Sequence, residues 1–162
     1  MFVIVRTITY ASLFIGLLLV YLPARILAWS GIVRPTAMGW PQIAGLVVGT
    51  LGAVFALSCV CAFAFIGKGT PAPFDPPRRL VVRGPYRFVR NPMYAGAALA
   101  LAGAALFYQS IQLLAFVAGF ILVTHFFVVL YEEPTLRRLF GLEYQAYCQR
   151  VHRWWPAVQS HQ

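Results

Sequence analysis

The stretch IAGLVVGTLGAVFALSCVCAFAFI, residues 43–66, decides the fold: it carries no charge and is long enough to cross a bilayer with some tilt. Within it Gly45, Gly49, Gly52, Ala53 and Ala56 recur at three- and four-residue spacing, so one helix face is small enough for a neighbouring helix to approach closely. The rest of the chain agrees. Of its 162 residues, 60% are hydrophobic and only 10% charged, with a mean hydropathy of +0.74. No ordinary soluble domain has that balance.

Working outward, an apolar stretch at residues 8–29 precedes this span, and Pro23 with Arg25 near its end predicts a kink or a helix end close to the interface. The amino terminus, MFVIVRTITYASLFIGLLLVYLPA, reads as an anchor and not a removable signal peptide, because its apolar run is long and no small-residue cleavage site follows. After the decisive span, GKGTPAPFDPPRRLVVRGPYRFVRN, residues 67–91, is rich in proline, glycine and arginine and reads as a loop. Lys68, Arg78, Arg79, Arg83, Arg87 and Arg90 assign that loop to the cytoplasm by the positive-inside rule.

A third span starts at Pro92 and runs to residue 108, with Gly96, Ala100, Gly103 and Ala104 forming another close-packing face. Gln109, Ser110 and Gln112 mark a tight uncharged turn, and a fourth span follows over residues 111–131. The expectation is therefore an all-α integral membrane bundle of about four transmembrane helices in one domain, with both termini cytoplasmic. Residues 134–155 predict a final amphipathic helix, in which Leu136, Leu139, Phe140, Tyr144, Tyr147, Val151 and Trp154 form an apolar stripe. Such a helix is expected on the bilayer surface, with Trp154 and Trp155 at the headgroup level.

The net charge of +9 does not indicate nucleic acid, since the arginines lie between apolar runs with no basic stripe of interleaved stacking aromatics. Anionic membrane lipid is the partner such charges suit. Cys59, Cys61 and Cys148 form no CxxC and no metal-ligand set, so neither disulfide nor zinc is expected.

Two features of opposite charge meet at the cytoplasmic boundary. Asn91 before Pro92 is a sound helix start, and with Arg87 and Arg90 beside it forms a ready place for an anion. Glu132 and Glu133 sit together at the end of the fourth span, in a chain with only two other acidic residues. Paired carboxylates against hydrocarbon call for a cationic or hydroxyl-rich partner. A zwitterionic ligand satisfies both, and by charge alone S-adenosylmethionine and a phospholipid headgroup are equally suitable.

The run RGPYRFVRNPMYAG, residues 83–96, followed by EEPTLRRLFGLEYQAYCQRVHRWWP, residues 132–156, resembles the paired motifs of the isoprenylcysteine carboxyl methyltransferase family and its bacterial relatives. It is more distantly similar to the membrane phospholipid N-methyltransferases. The resemblance covers roughly the carboxyl-terminal half. It implies S-adenosylmethionine as methyl donor, S-adenosylhomocysteine as product, and a lipophilic or lipidated acceptor with a carboxylate to be methylated, in a bacterial inner membrane.

The family pattern RHPxYxG falls on Arg90, Pro92, Tyr94 and Gly96, with Asn91 in place of the family histidine. Asparagine can cap the helix and hydrogen-bond a carboxylate, but it cannot titrate near neutral pH. The second pattern falls on Glu132, Glu133, Leu136, Phe140, Gly141, Tyr144, Tyr147, Val151, Arg153 and Pro156. By this resemblance Arg90, Arg153 and Glu133 are the catalytic candidates. Asn91, Pro92, Tyr94, Gly96, Glu132, Glu133, Tyr144 and Tyr147 are the donor-binding candidates.

Simpler roles remain open for several of these. Tyr94, Tyr144 and Tyr147 suit an aromatic belt as well as ligand contact, Arg137 and Arg138 suit lipid headgroups, and His125 suits an interhelical hydrogen bond. Phospholipid amines and small thiols are alternative acceptors. A non-catalytic transporter subunit or assembly factor is the rival class; it predicts a path across both faces, whereas nearly all the ionisable groups fall on one.

Overall fold

The computed structural model describes residue 9 and residues 12–62 and 80–156. Lys68, Arg78 and Arg79, the end of the second span and the first residues of the proposed anchor lie outside the described residues. Every regular element described is helical. Helix α1 is Ser12–Trp29, α2 is Trp40–Ala62, α3 is Pro92–Tyr108 and α4 is Ile111–Phe127. A π-helical turn, Val128–Glu132, carries α4 into α5, Glu133–Arg150. Three helical stretches, Ser12–Trp29, Trp40–Ala62 and Ile111–Arg150, are long and apolar enough to cross a membrane, and α3 is a shorter apolar helix beside them.

Outward-facing Leu46, Val47, Leu51, Val54, Leu122 and Val123 are each between 46% and 67% exposed. An apolar surface of that extent belongs against hydrocarbon and not water. This is an integral membrane protein.

The two small-residue stripes pack against each other, and the helices run antiparallel. A Cβ added at Gly45 would lie 2.6 Å from the Phe107 amide nitrogen, one at Gly52 2.7 Å from the Gly96 carbonyl, and one at Gly96 2.7 Å from the Ala56 amide nitrogen. Only glycine permits backbones this close. At the end where α2 begins, Gln42 donates to the Phe107 carbonyl at 3.2 Å and accepts from the Gly39 amide, so a buried amide spans the seam without an unmet bond. The α3–α4 turn closes with Gln109 in the left-handed region at φ 50° and with Ser110 capping α4 by accepting from the Leu113 amide.

Pro23 lies within the helical run of α1 and Pro134 in the first turn of α5, and a π-helical turn precedes each. Pro23 follows the π-helical turn Ile15–Tyr21, where the Leu22 amide bonds the Leu17 carbonyl. Pro134 likewise follows Val128–Glu132, where the Glu133 amide bonds the Val128 carbonyl. A proline ring collides with the carbonyl four residues back, and the wider i to i−5 turn relieves that collision. Helix one continues to Trp29, the end of its apolar stretch, and α5 follows the fourth span without an intervening break.

The chain turns at Gly141 instead, with φ 50° and ψ −120°, a conformation suited to glycine. Helix ends at Arg150, short of the predicted residue 155, and residues 151–156 fold back as an irregular strap. The apolar stripe of α5 is divided. Tyr144, Tyr147 and Val151 form a buried cluster with Leu80, Leu136 and Phe140 against it, whereas Leu139 and Leu142 face outward.

Candidate functional site

The strap brings the start of α3 and the acidic end of the fourth span together. The Arg90 amide bonds the His152 carbonyl at 3.0 Å, and Asn91 Nδ2 donates to the Arg153 carbonyl at 3.3 Å. Asn91 thus occupies the cap position without capping through its side chain. The helix starts on its backbone carbonyl, which accepts from the Ala95 amide, and on Pro92, whose missing donor is unneeded in a first turn.

Glu133 is the centre of the arrangement. Arg153 holds it with Nε on Oε1 at 2.7 Å and Nη2 on Oε2 at 2.9 Å, and Arg90 Nη1 reaches Oε1 at 3.2 Å. The carboxylate hydrogen bond pushes the Arg153 guanidinium up from its ordinary value. Both oxygens of Glu133 are therefore already taken by cations of this chain. Its partners within the chain are Arg90 and Arg153.

Glu132 differs from its neighbour. Its Oε2 accepts from the Tyr94 hydroxyl at 3.2 Å, and among the described residues it makes no ion pair. Arg90, with its side chain 11% exposed, also directs Nη1 at Cys148 Sγ, 2.7 Å away, while its Nε is buried without a hydrogen-bond partner. One orphaned cationic donor and, among the described residues, one carboxylate without a counter-ion thus remain in the cluster. These are the groups a zwitterion would use, so the residues present fit a ligand such as S-adenosylmethionine.

The other candidates are distributed differently. Tyr147 is 5% exposed and donates to the Tyr86 carbonyl at 2.5 Å, fastening α5 to the Gly84–Arg87 turn. Tyr144, 2% exposed, packs beside it with ring centroids 6.1 Å apart. Neither is an aromatic-belt residue. Gly96 lies in the α2–α3 seam, where contact with Gly52 and Ala56 accounts for its lack of a side chain. Tyr94 is the candidate that also reaches the hydrocarbon side. It lines an apolar cavity of about 830 Å³ between α1, α2, α3 and α4, open on one side.

Sequence reasoning passes over two features and misplaces the partner of a third. Cys148 contacts Arg90 across 58 residues, and no local pattern marks it. The cavity exists only once four helices are assembled. His125 was read as a hydrogen-bond partner between helices; its Nδ1 accepts from Trp154 Nε1 at 3.2 Å, so the strap and not a helix supplies the donor. Trp154 is accordingly tied to α4.

Comparison with known proteins decides the family. The model of the family described as phospholipid methyltransferase matches residues 40–143. The chain belongs to that family. In this phospholipid methyltransferase family member, the matched region contains α2, α3, α4 and the Glu132–Glu133 pair. Two curated rice proteins, from Oryza sativa subsp. indica and subsp. japonica, are each named "Probable protein-S-isoprenylcysteine O-methyltransferase". Each is 32% identical over 88 residues, which is 53% of this chain and 45% of the relative. The chain thus aligns with less than half the length of those relatives. No solved structure matches at a significant level.

Proposed function

We propose that this protein is a membrane methyltransferase that uses S-adenosylmethionine and acts on a lipophilic acceptor. The observation that carries the reading is Tyr94, whose ring lines the apolar cavity while its hydroxyl holds Glu132 beside the Arg90–Glu133–Arg153 cluster. One residue joins a place for a hydrocarbon tail to a place for a charged head. Family membership supports the same chemistry.

The donor would supply a methyl group on sulfonium sulfur, electrophilic enough for direct displacement. Arg90, through its unpartnered Nε, and the start of α3 would hold the donor carboxylate, and Glu132 with Tyr94 its ammonium or ribose hydroxyls. Glu133 would act indirectly, by fixing both guanidinium groups. A carboxylate acceptor is nucleophilic at neutral pH and needs no general base, so the protein contributes alignment and exclusion of water. The Asn91 side chain, committed to the Arg153 carbonyl, supports that arrangement without titrating.

The favoured acceptor is an isoprenylcysteine-like carboxylate, by the names of the rice relatives. A phospholipid amine is the second reading, favoured by the absence of an ion pair at Glu132 among the described residues. We further infer that the cluster lies on the cytoplasmic face of a bacterial inner membrane, with both termini on that side, from the arginines at residues 83–90 and 137–153.

Calorimetry in nanodiscs tests the donor directly. Binding that is lost in Glu132→Gln supports the assignment, and no heat at millimolar S-adenosylmethionine overturns it. Radiolabelled methyl transfer then separates the acceptors, because a methyl ester releases volatile label in base and an N-methyl product does not.

A further inference from the structure

The seam glycines are explained by contact, and Gly119 in α4 is not. A Cβ there would meet no atom within 4 Å, yet glycine inside a helix costs about 1 kcal/mol relative to alanine. Gly119 lines the apolar cavity, so the space its missing side chain leaves open belongs to the cavity.

The cavity has a definite depth and polarity. Along α4 its wall runs from Phe127, near Glu132, to Phe116, a distance of about 16 Å at the helical rise per residue. That is about half of a bilayer's ~30 Å hydrocarbon core, the depth of one leaflet. Among the described residues that line it, the side-chain hydroxyls are those of Tyr94 and Thr124. The Thr124 hydroxyl is spent on the Phe120 carbonyl at 2.8 Å, so the available polarity lies at the Tyr94 end. The rim residues Leu13, Leu57 and Val123 are 63%, 53% and 67% exposed, which leaves the slot open sideways to lipid.

We propose that this cavity receives one hydrocarbon chain of the methyl acceptor, a chain of single-leaflet depth, and that Gly119 determines which chains can enter. The identity of the occupant as acceptor rests on the methyl-transfer reading; occupancy by a lipid chain does not. A large side chain at Gly119, one helical turn from Phe116, would fill the deep end of the slot. Branched or bulky chains would be rejected first.

The experiment uses the full chain in nanodiscs containing a single-chain lipid with a photoreactive diazirine at its chain end, and adducts are mapped by mass spectrometry. Adducts concentrated on Phe116, Leu18 and Ala53, reduced about tenfold in Gly119→Phe and retained in Gly119→Ala, are the expected result. Adducts spread equally onto outward-facing Leu122 and Leu130 would overturn the proposal, as would labelling unchanged in Gly119→Phe. The wild-type map decides even if Gly119→Phe does not fold. Calorimetry with S-adenosylmethionine on the same samples keeps the two readings apart: donor affinity unchanged in Gly119→Phe is expected, and affinity lost with the labelling would show a collapsed bundle and refute a role confined to the chain. Wild-type protein that takes the lipid chain but binds no donor would sink the methyl-transfer reading alone.

Discussion

Arg153 grips Glu133 with two parallel hydrogen bonds, at 2.7 and 2.9 Å, across a separation of 20 residues. This fork ties the carboxyl-terminal strap to the end of the long fourth helix, and Arg90 adds the loop before α3 at 3.2 Å. Three segments distant in sequence thus share one buried carboxylate.

Breaking that carboxylate's charge should cost more than an ordinary surface pair. Glu133→Gln leaves two guanidinium groups facing a neutral amide. Because Arg153 is 31% exposed, the expected loss is about 2 to 3 kcal/mol, below the full range for a buried pair. Thermal unfolding in detergent measures it. Arg153→Lys keeps the charge and loses the fork, and an unchanged melting temperature in both variants would refute a structural clamp.

Tyr94→Phe removes one hydroxyl and leaves the ring at the cavity wall. A hydrogen bond to a charged group contributes about 1.5 to 3 kcal/mol, so donor affinity should fall about tenfold to a hundredfold. The melting temperature should move little. Calorimetry that finds wild-type affinity would remove Tyr94 and Glu132 from the donor site.

The seam and Gly119 should respond in opposite senses to the same substitution. Gly52→Ala would place a methyl 2.7 Å from the Gly96 carbonyl, with backbone that cannot yield, and should destabilise by about 1 to 3 kcal/mol. Gly119→Ala meets nothing and should be neutral or raise stability by up to about 1 kcal/mol. Parallel thermal scans in one detergent compare them.

Asn91→His would restore the residue that the resembled family carries. An imidazole N–H can replace the Asn91 donor to the Arg153 carbonyl, so the fold should persist. Its protonated form is disfavoured beside Arg90 and Arg153, so its pKa should fall below the ordinary value near 6.5. The pH–rate profile should acquire an added acidic limb below about pH 6. An identical profile for both proteins would show that position 91 does not influence the reaction.

The small-residue faces were legible in the sequence because close helix approach in hydrocarbon demands glycine and alanine at helical spacing. Gly45, Gly52, Gly96 and Gly103 therefore identify the seam before any coordinates are known. The prolines mark helix junctions but not how the junctions are built. Pro23 suggests a kink or an end and Pro134 a fresh start, while the structure carries the helix into each through a π-helical turn whose i to i−5 bonds leave no trace in local composition. The real break at Gly141 looked like one small residue in an amphipathic pattern.

At the candidate site, the acidic pair and the Asn91–Pro92 start were visible as isolated, oppositely charged places at one end of a helical hairpin. Their division of labour was not. Glu132 and Glu133 are adjacent and chemically alike, and only the path of residues 151–156 commits Glu133 to Arg153 and leaves Glu132 to Tyr94.

The sequence alone determined the helical, membrane-embedded character of the chain and the pairing chemistry of its interfaces, because hydrophobic length, residue size and charge position act locally. Tertiary structure alone decided which carboxylate is neutralised within the protein, where the fourth helix turns, and that four apolar faces leave a leaflet-deep cavity between them. Ion pairing and void space depend on distances between segments far apart in the chain, and no local spacing encodes them.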